Sequence, residues 1–170
     1  MMEENADHIE AQWWAATNAG NKAIDQGDER AAQHYYEAAL ATSERLFEAA
    51  WTEDSACLLA PMTCNIAAHN LAELNRRNGN DEAAAHALKK GVTTLLTNAE
   101  NPATPLALRV NCGRHLPRAI AYFDQLCPEA SDRADVHTLI ARTRIVRRQI
   151  RKWAYRWNRP SQDTDMQTVH

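Results

Sequence analysis

Basic side chains crowd a segment near the end of the chain, where they alternate with large aromatic rings. The cations are Arg142, Arg144, Arg147, Arg148, Arg151, Lys152, Arg156 and Arg159, and the rings are Trp153, Tyr155 and Trp157. Phosphates favour Lys and Arg through counterion release, and aromatic rings can stack on bases. The segment therefore predicts contact with nucleic acid or another acidic partner, through Arg144, Arg147, Arg148, Arg151 and Lys152.

The same segment also has an apolar seam, which supports a different interpretation. Val136, Leu139, Thr143, Val146, Ile150, Trp153 and Trp157 follow one another at spacings of three and four. A seam of this spacing is typical of a helix that packs in a core or pairs with another helix. Trp153 and Trp157 then belong to the core or to an interface, and a homodimer is one possible outcome.

The residue types that carry catalysis or bind metal do not form a recognised motif. His69 and Glu73 are four apart, but one His and one carboxylate do not make a metal site, and the other histidines are scattered. A phosphate-binding glycine loop and a nucleophile elbow are both missing from the sequence. We expect no enzyme activity, no cofactor and no metal.

The four cysteines are spaced singly inside apolar patterns. They are Cys57, Cys64, Cys112 and Cys127. This arrangement predicts reduced thiols in the core; the alternative is that Cys57 and Cys64, seven apart, form a disulfide or a ligand pair.

Composition and charge indicate one helical domain. The 170 residues include only 5 Gly and 6 Pro and are 45% hydrophobic, which favours helices over residues 1–160 and leaves 161–170 as a disordered tail. The acidic start Met1 to Asn5 does not read as a signal peptide, and no stretch is apolar enough for a membrane span, so a cytoplasmic protein is expected. The charged residues are distributed unevenly: residues 1–57 hold 12 acidic and 3 basic groups, whereas residues 131–160 hold 2 acidic and 9 basic groups. This asymmetry could steer a charged partner or join two copies end to end.

Helical periodicity recurs along the chain between breakers. It predicts an all-α fold of about six helices in three antiparallel hairpins. The helices are expected at residues 8–26 and 29–51, from after residue 55 to 78, and at 81–98, 103–126 and 132–157. Thr52 to Ser55 supply capping side chains for the third helix. Pro61 predicts either a bend in that helix or a start near Ala60, and Pro117 should bend or split the fifth helix after His115.

An internal repeat of 52 residues appears when Gly27-Asp28 is aligned with Gly79-Asn80. The alignment pairs Gly20 with Ala72, Ala32 with Ala84, Tyr36 with Leu88 and Ala39 with Gly91. Small residues thus recur where two helices must approach closely. A further step of 52 reaches Ser131-Asp132, which predicts a degenerate third repeat.

The segment Ala15 to Leu40 resembles a tetratricopeptide repeat (TPR) on these residues, and Ala67 to Val92 is similar. The resemblance implies a right-handed helical superhelix, close to small bacterial TPR-like proteins of unassigned function. It also implies that the first helices line a groove for a peptide of a protein partner. The alternative is a generic antiparallel bundle with solvated helix faces.

In that groove, Asn21, Asn70 and Arg118 fall on positions that clamp a peptide carboxylate in the family. Thr17 and Tyr122 stand where basic residues are expected. The resemblance assigns Asn18, His69 and Arg77 to the same groove.

Overall fold

The computed structural model describes residues 5–131 and 133–157, and these residues form seven helices and no strand. The helices are α1 (Ala6–Asp25), α2 (Glu29–Ala49), α3 (Ala56–Arg77), α4 (Asp81–Glu100), α5 (Leu106–Leu126), α6 (Pro128–Ser131) and α7 (Ala134–Trp157). The all-α prediction is confirmed. The count is seven rather than about six, because the short α6 separates α5 from α7. The predicted tail at 161–170 lies outside the described residues.

Each long helix packs against the helix before it, and α3 also contacts both α1 and α5. The core that these contacts close is contiguous, and its largest fully buried side chains include Trp13, Leu46, Leu96 and Phe123. Helices α1, α3 and α5 therefore lie side by side, and their exposed faces can form one continuous surface.

The turns after α1 and α3 have the same geometry, as the 52-residue repeat predicts. Gly27 and Gly79 both have φ of 72°, a left-handed conformation that glycine adopts without steric cost. The next residue in each turn bonds back across six residues, from the N–H of Asp28 to the carbonyl of Ala23 (2.9 Å) and from Asn80 to Asn75 (2.8 Å). The side chains of Asp28 and Asn80 then cap α2 and α4.

Small residues lie at close contacts between helices. A Cβ atom added to Gly20 would lie 2.4 Å from the ring of Tyr36, and one added to Gly91 would lie 2.8 Å from the Cβ of Ala68. The prediction that small residues mark close approach is confirmed at these two positions.

Helix α3 begins at Ala56 and contains Pro61 in its first turns. The predicted start near Ala60 is therefore wrong, and so is the predicted cap, because Ser55 makes no capping hydrogen bond from its side chain. The Glu53 carboxylate instead accepts hydrogen bonds from the N–H of Ala6, at 3.1 and 3.2 Å, at the N-terminus of α1. A carboxylate is favourable there because the positive end of the helix dipole faces it.

Two buried amides join α3 to α5 in opposite directions. Asn111 on α5 donates to the carbonyl of Cys57 at 3.2 Å, and Asn65 on α3 donates to the carbonyl of His115 at 3.1 Å. Helix α5 runs unbroken through Pro117, so the predicted split after His115 is wrong.

Helix α7 packs on α4 and α5 through its apolar seam. Val136, Leu139, Thr143, Val146 and Ile150 are all at most 9% exposed, and a Cβ added to Gly113 would lie 1.6 Å from Cδ1 of Ile150. This part of the seam is therefore used within the chain and is not free for a partner helix. The side chains of Trp153 and Trp157 lie outside the described residues, and the homodimer stays a prediction.

At the position predicted for the turn of a third repeat, Ser131 is the last residue of α6. Helix α5 ends at Leu126 with Cys127 as its cap, and α6 fills the region where the turn at Ser131 was predicted. Asp132 lies outside the described residues. The first two turns each depend on a glycine, and this stretch has none.

Candidate functional site

A cleft of about 350 Å³ opens between α1, α2 and α3. It is lined by Asn21, Ile24 and Asp25 from α1, Tyr36 from α2, and Asn70, Glu73, Leu74 and Arg77 from α3. Three of the six residues assigned to a peptide groove, Asn21, Asn70 and Arg77, thus lie in one cleft. The lining combines a small apolar floor with amide, carboxylate and guanidinium groups.

A hydrogen bond from α2 orients the side-chain amide of Asn21. The hydroxyl of Tyr36 donates to Oδ1 of Asn21 at 2.8 Å, so the carbonyl oxygen of that amide is occupied and its two N–H donors remain. Burial, followed by the charge of Glu73, raises the pKa of Tyr36 above its ordinary 10.0. The Tyr36 hydroxyl therefore stays protonated near neutral pH and keeps its donor role.

The charges in the cleft do not favour a free carboxylate. Arg77 forms an ion pair with Glu73 one turn earlier on α3, and Asp25 adds a second carboxylate to the lining. Two acidic groups and one basic group leave the lining net negative, since the guanidinium is already matched. An anionic peptide end would meet repulsion from Asp25.

A second cluster lies between α3 and α5, next to the cleft along α3. His69 lies against Tyr122, with ring centroids 4.2 Å apart, and Nε of Arg118 donates to the Tyr122 hydroxyl at 2.8 Å. The Arg118 guanidinium also lies 5.9 Å from the centre of the Tyr122 ring, within the range of a cation–π contact. Two of the assigned groove residues, His69 and Arg118, are therefore together here rather than in the cleft.

Asn18 completes the set of six. It is exposed on α1, three residues before Asn21, and it is not among the residues that line the cleft. The structure thus brings Asn21, Asn70 and Arg77 together, places His69 and Arg118 in a neighbouring cluster, and leaves Asn18 outside both.

Two acidic cleft residues were not part of the predicted site. Asp25 is four residues after Asn21, and Glu73 is three residues after Asn70, so each shares a helix face with an assigned residue. This spacing could have identified them from the sequence.

The second predicted site, on α7, is a face of basic side chains. Arg144, Arg147, Arg148, Arg151 and Lys152 are all exposed. Arg133 and Arg142, in contrast, pair with Glu82 and Glu100 of α4 at 2.9 and 2.6 Å. Within the described part of the chain, none of the five exposed cations forms an ion pair.

The cysteines are buried and free, as predicted for core thiols. Burial raises the pKa of Cys64 to about 12 and raises that of Cys112 as well. Thiols in this state are poor nucleophiles, because the thiolate is the reactive form. Among the described residues, no group of three His, Cys, Asp or Glu side chains could hold a metal ion.

The described residues fold into helices alone, so the chain belongs to the all-α class of proteins. Residues 11–145 match the sequence profile of a family described as protein of unknown function (DUF2753), and this chain belongs to that family. No curated protein and no solved structure matches the chain. Over the residues that the structure describes, no helix is long and apolar enough to cross a membrane.

Proposed function

We propose that this protein is a non-enzymatic interaction module that holds a peptide segment of a protein partner in the cleft between α1, α2 and α3. The observation that carries the proposal is the gathering of Asn21, Asn70 and Arg77, from two helices, around one cleft of about 350 Å³. Amide side chains suit an extended peptide, because Asn70 can pair with both the N–H and the carbonyl of a peptide bond and Asn21 still offers its two N–H donors.

The helical arrangement that we propose for this role is a TPR-like right-handed superhelix. Its support is the shared geometry of the turns at Gly27 and Gly79 and the close contact of Gly20 with Tyr36. In such a superhelix, α1 and α3 are the first helices of successive repeats and form the wall that a peptide contacts.

The part of the peptide that enters the cleft is an internal segment rather than the C-terminal end. Arg77 is already paired with Glu73, and Asp25 adds an unfavourable charge for a terminal carboxylate. The N–H groups of Asn21 are directed by its bond to Tyr36, which leaves them available for a peptide carbonyl.

The test is selection of peptides from a random display library on the full-length protein, followed by calorimetry with the enriched peptide. Asn70→Ala is the informative variant, since the half-buried Asn70 lines the cleft and its removal leaves the Tyr36–Asn21 bond intact. Loss of two peptide hydrogen bonds should weaken binding by about tenfold or more. Asn18→Ala is the matched control, because it removes the same side chain from an exposed position outside the cleft.

The expected result is enrichment of a shared motif, weakened binding by Asn70→Ala and unchanged binding by Asn18→Ala. Amidating the C-terminus of the peptide should leave its affinity unchanged. Failure to enrich any motif, or equal binding by all three proteins, would exclude the cleft as a peptide site.

A further inference from the structure

Five cations form one continuous exposed face on α7. At 100° per residue, Arg144, Arg147, Arg148, Arg151 and Lys152 fall within an arc of about 140°. They span nine residues, or about 12 Å along the helix axis. The one acidic residue of α7 is Asp135, which pairs with Lys89 of α4, so α7 supplies no acidic group to this face.

The fold separates these five cations from those that stabilise the structure. Lys89 and Arg142 form ion pairs that connect α4 to α7, with Asp135 and Glu100 as their partners at 2.6 Å each. Arg133, just before α7, pairs with Glu82. The five cations of the exposed face take no part in this network, so they are free to bind a polyanion.

The apolar side of α7 is not available to the same partner. Val136, Val146 and Ile150 are buried against the protein, and Ile145 is the large apolar side chain that the described part of α7 exposes. A protein interface usually has aromatic or apolar anchors at its centre, and a membrane-surface helix buries an apolar face in the lipid. Between Arg144 and Lys152, where the side chains are described, the face carries five cations and Ile145 is the one large apolar group exposed beside them, which favours a partner recognised mainly through charge.

We propose that this face of α7 binds the phosphate backbone of nucleic acid without reading the base sequence. Arginine is well suited to this contact, because its planar guanidinium can pair with two phosphate oxygens at once. The binding energy then comes from counterion release and should fall steeply with salt. This surface lies on α7, whereas the peptide cleft lies between α1, α2 and α3, so either site can exist without the other.

The experiment measures binding of the full-length protein to a fluorescein-labelled DNA duplex of mixed sequence by anisotropy over a range of salt concentrations. Five phosphate contacts predict a slope of about −4.5 for log K against log salt. The variant Arg147→Gln/Arg148→Gln/Arg151→Gln should reduce the steepness of that slope by about 3 and weaken binding at about 0.1 M salt by two to three orders of magnitude.

The control variant is Lys22→Gln/Arg30→Gln/Arg76→Gln, which removes three exposed cations from α1, α2 and α3. It changes the net charge of the protein by the same amount. The control therefore distinguishes DNA binding at the α7 face from a general electrostatic attraction between the protein and DNA. Circular dichroism of both variants shows whether they remain folded. The control should bind DNA like the unmodified protein.

Three outcomes overturn the proposal. One is a protein that does not bind the duplex at low salt, and another is an equal loss of binding in the two triple variants. The third is stronger binding to phosphatidylserine vesicles or to polyglutamate than to DNA, which would assign the face to a membrane or to an acidic protein.

Discussion

Asn111 on α5 supplies the hydrogen bond that Pro61 removes from α3. In a regular helix the carbonyl of Cys57 accepts from the N–H of residue 61, but proline has no N–H. The side-chain amide of Asn111 donates to that carbonyl instead, at 3.2 Å. The helix thus continues through the proline because a residue 54 positions further along the chain satisfies its free carbonyl.

Replacing Asn111 by Ala should therefore lower the free energy of unfolding by about 1–3 kcal/mol, since a buried carbonyl loses its donor. In the Pro61→Ala background, where residue 61 regains an N–H, the same replacement should cost less. Urea unfolding of the two single variants and the double variant measures the coupling, which we expect to be about 1 kcal/mol. Additive effects would show that Asn111 does not compensate for Pro61.

Gly113→Ala should separate α5 from α7. The added Cβ would lie 1.6 Å from Cδ1 of Ile150, a contact that requires the helix or the side chain to move. Overpacking of this kind costs about 1–3 kcal/mol. Ile150→Val removes Cδ1 and should recover part of the loss in a double variant, as measured by thermal unfolding. A Gly113→Ala protein as stable as the original would contradict the close contact.

Stability should fall between about pH 7 and pH 5 in part because of His115. Burial, with the charge of Arg118, lowers the pKa of His115 below its ordinary 6.5. Below pH 6.5 the unfolded chain binds a proton at His115 more readily than the folded chain does, so acid favours unfolding. His115→Gln should reduce the pH slope of the unfolding free energy, with the exposed His137→Gln as the matched control. An unchanged slope in His115→Gln would exclude this contribution.

The four thiols should be protected from alkylation in the native protein. Cys64 and Cys112 are at most 1% exposed, and burial raises the pKa of both. At about pH 8 iodoacetamide should modify them only as fast as the protein opens, and all four should react at once in concentrated guanidinium. Mass spectrometry of the time course distinguishes this from rapid labelling of the folded state.

The sequence predicted well those elements whose conformation depends on residues close by in the chain. The turns at Gly27 and Gly79 need a left-handed residue, and both glycines mark the ends of helices as expected. The path of α3 through Pro61 was not predictable in this way, since the donor that permits it comes from α5. The local rule for proline predicted a bend or a start near Ala60; the start is wrong, because α3 begins at Ala56, and the bend stays a prediction.

In the candidate site, too, some features follow from the local sequence and others from contacts between helices. The 52-residue repeat pairs Asn18 with Asn70 and Asn21 with Glu73, and the cleft lining contains Asn21, Asn70 and Glu73 but not Asn18. It did not anticipate that Arg118 would bond to Tyr122 beside His69, since that contact depends on side-chain orientation. The sequence spacing places Asp25 beside Asn21 and Glu73 beside Asn70, but the meeting of the two carboxylates in one cleft follows from the packing of α1 on α3.

The packing of each long helix on its predecessor also has a kinetic consequence. Contacts between α1 and α2, α2 and α3, and α3 and α4 close only short loops, so little chain entropy is lost before each contact forms. Chains dominated by such local contacts fold in microseconds to milliseconds. We therefore expect the helices to assemble in sequence order, with one hairpin forming first and the next adding to its surface.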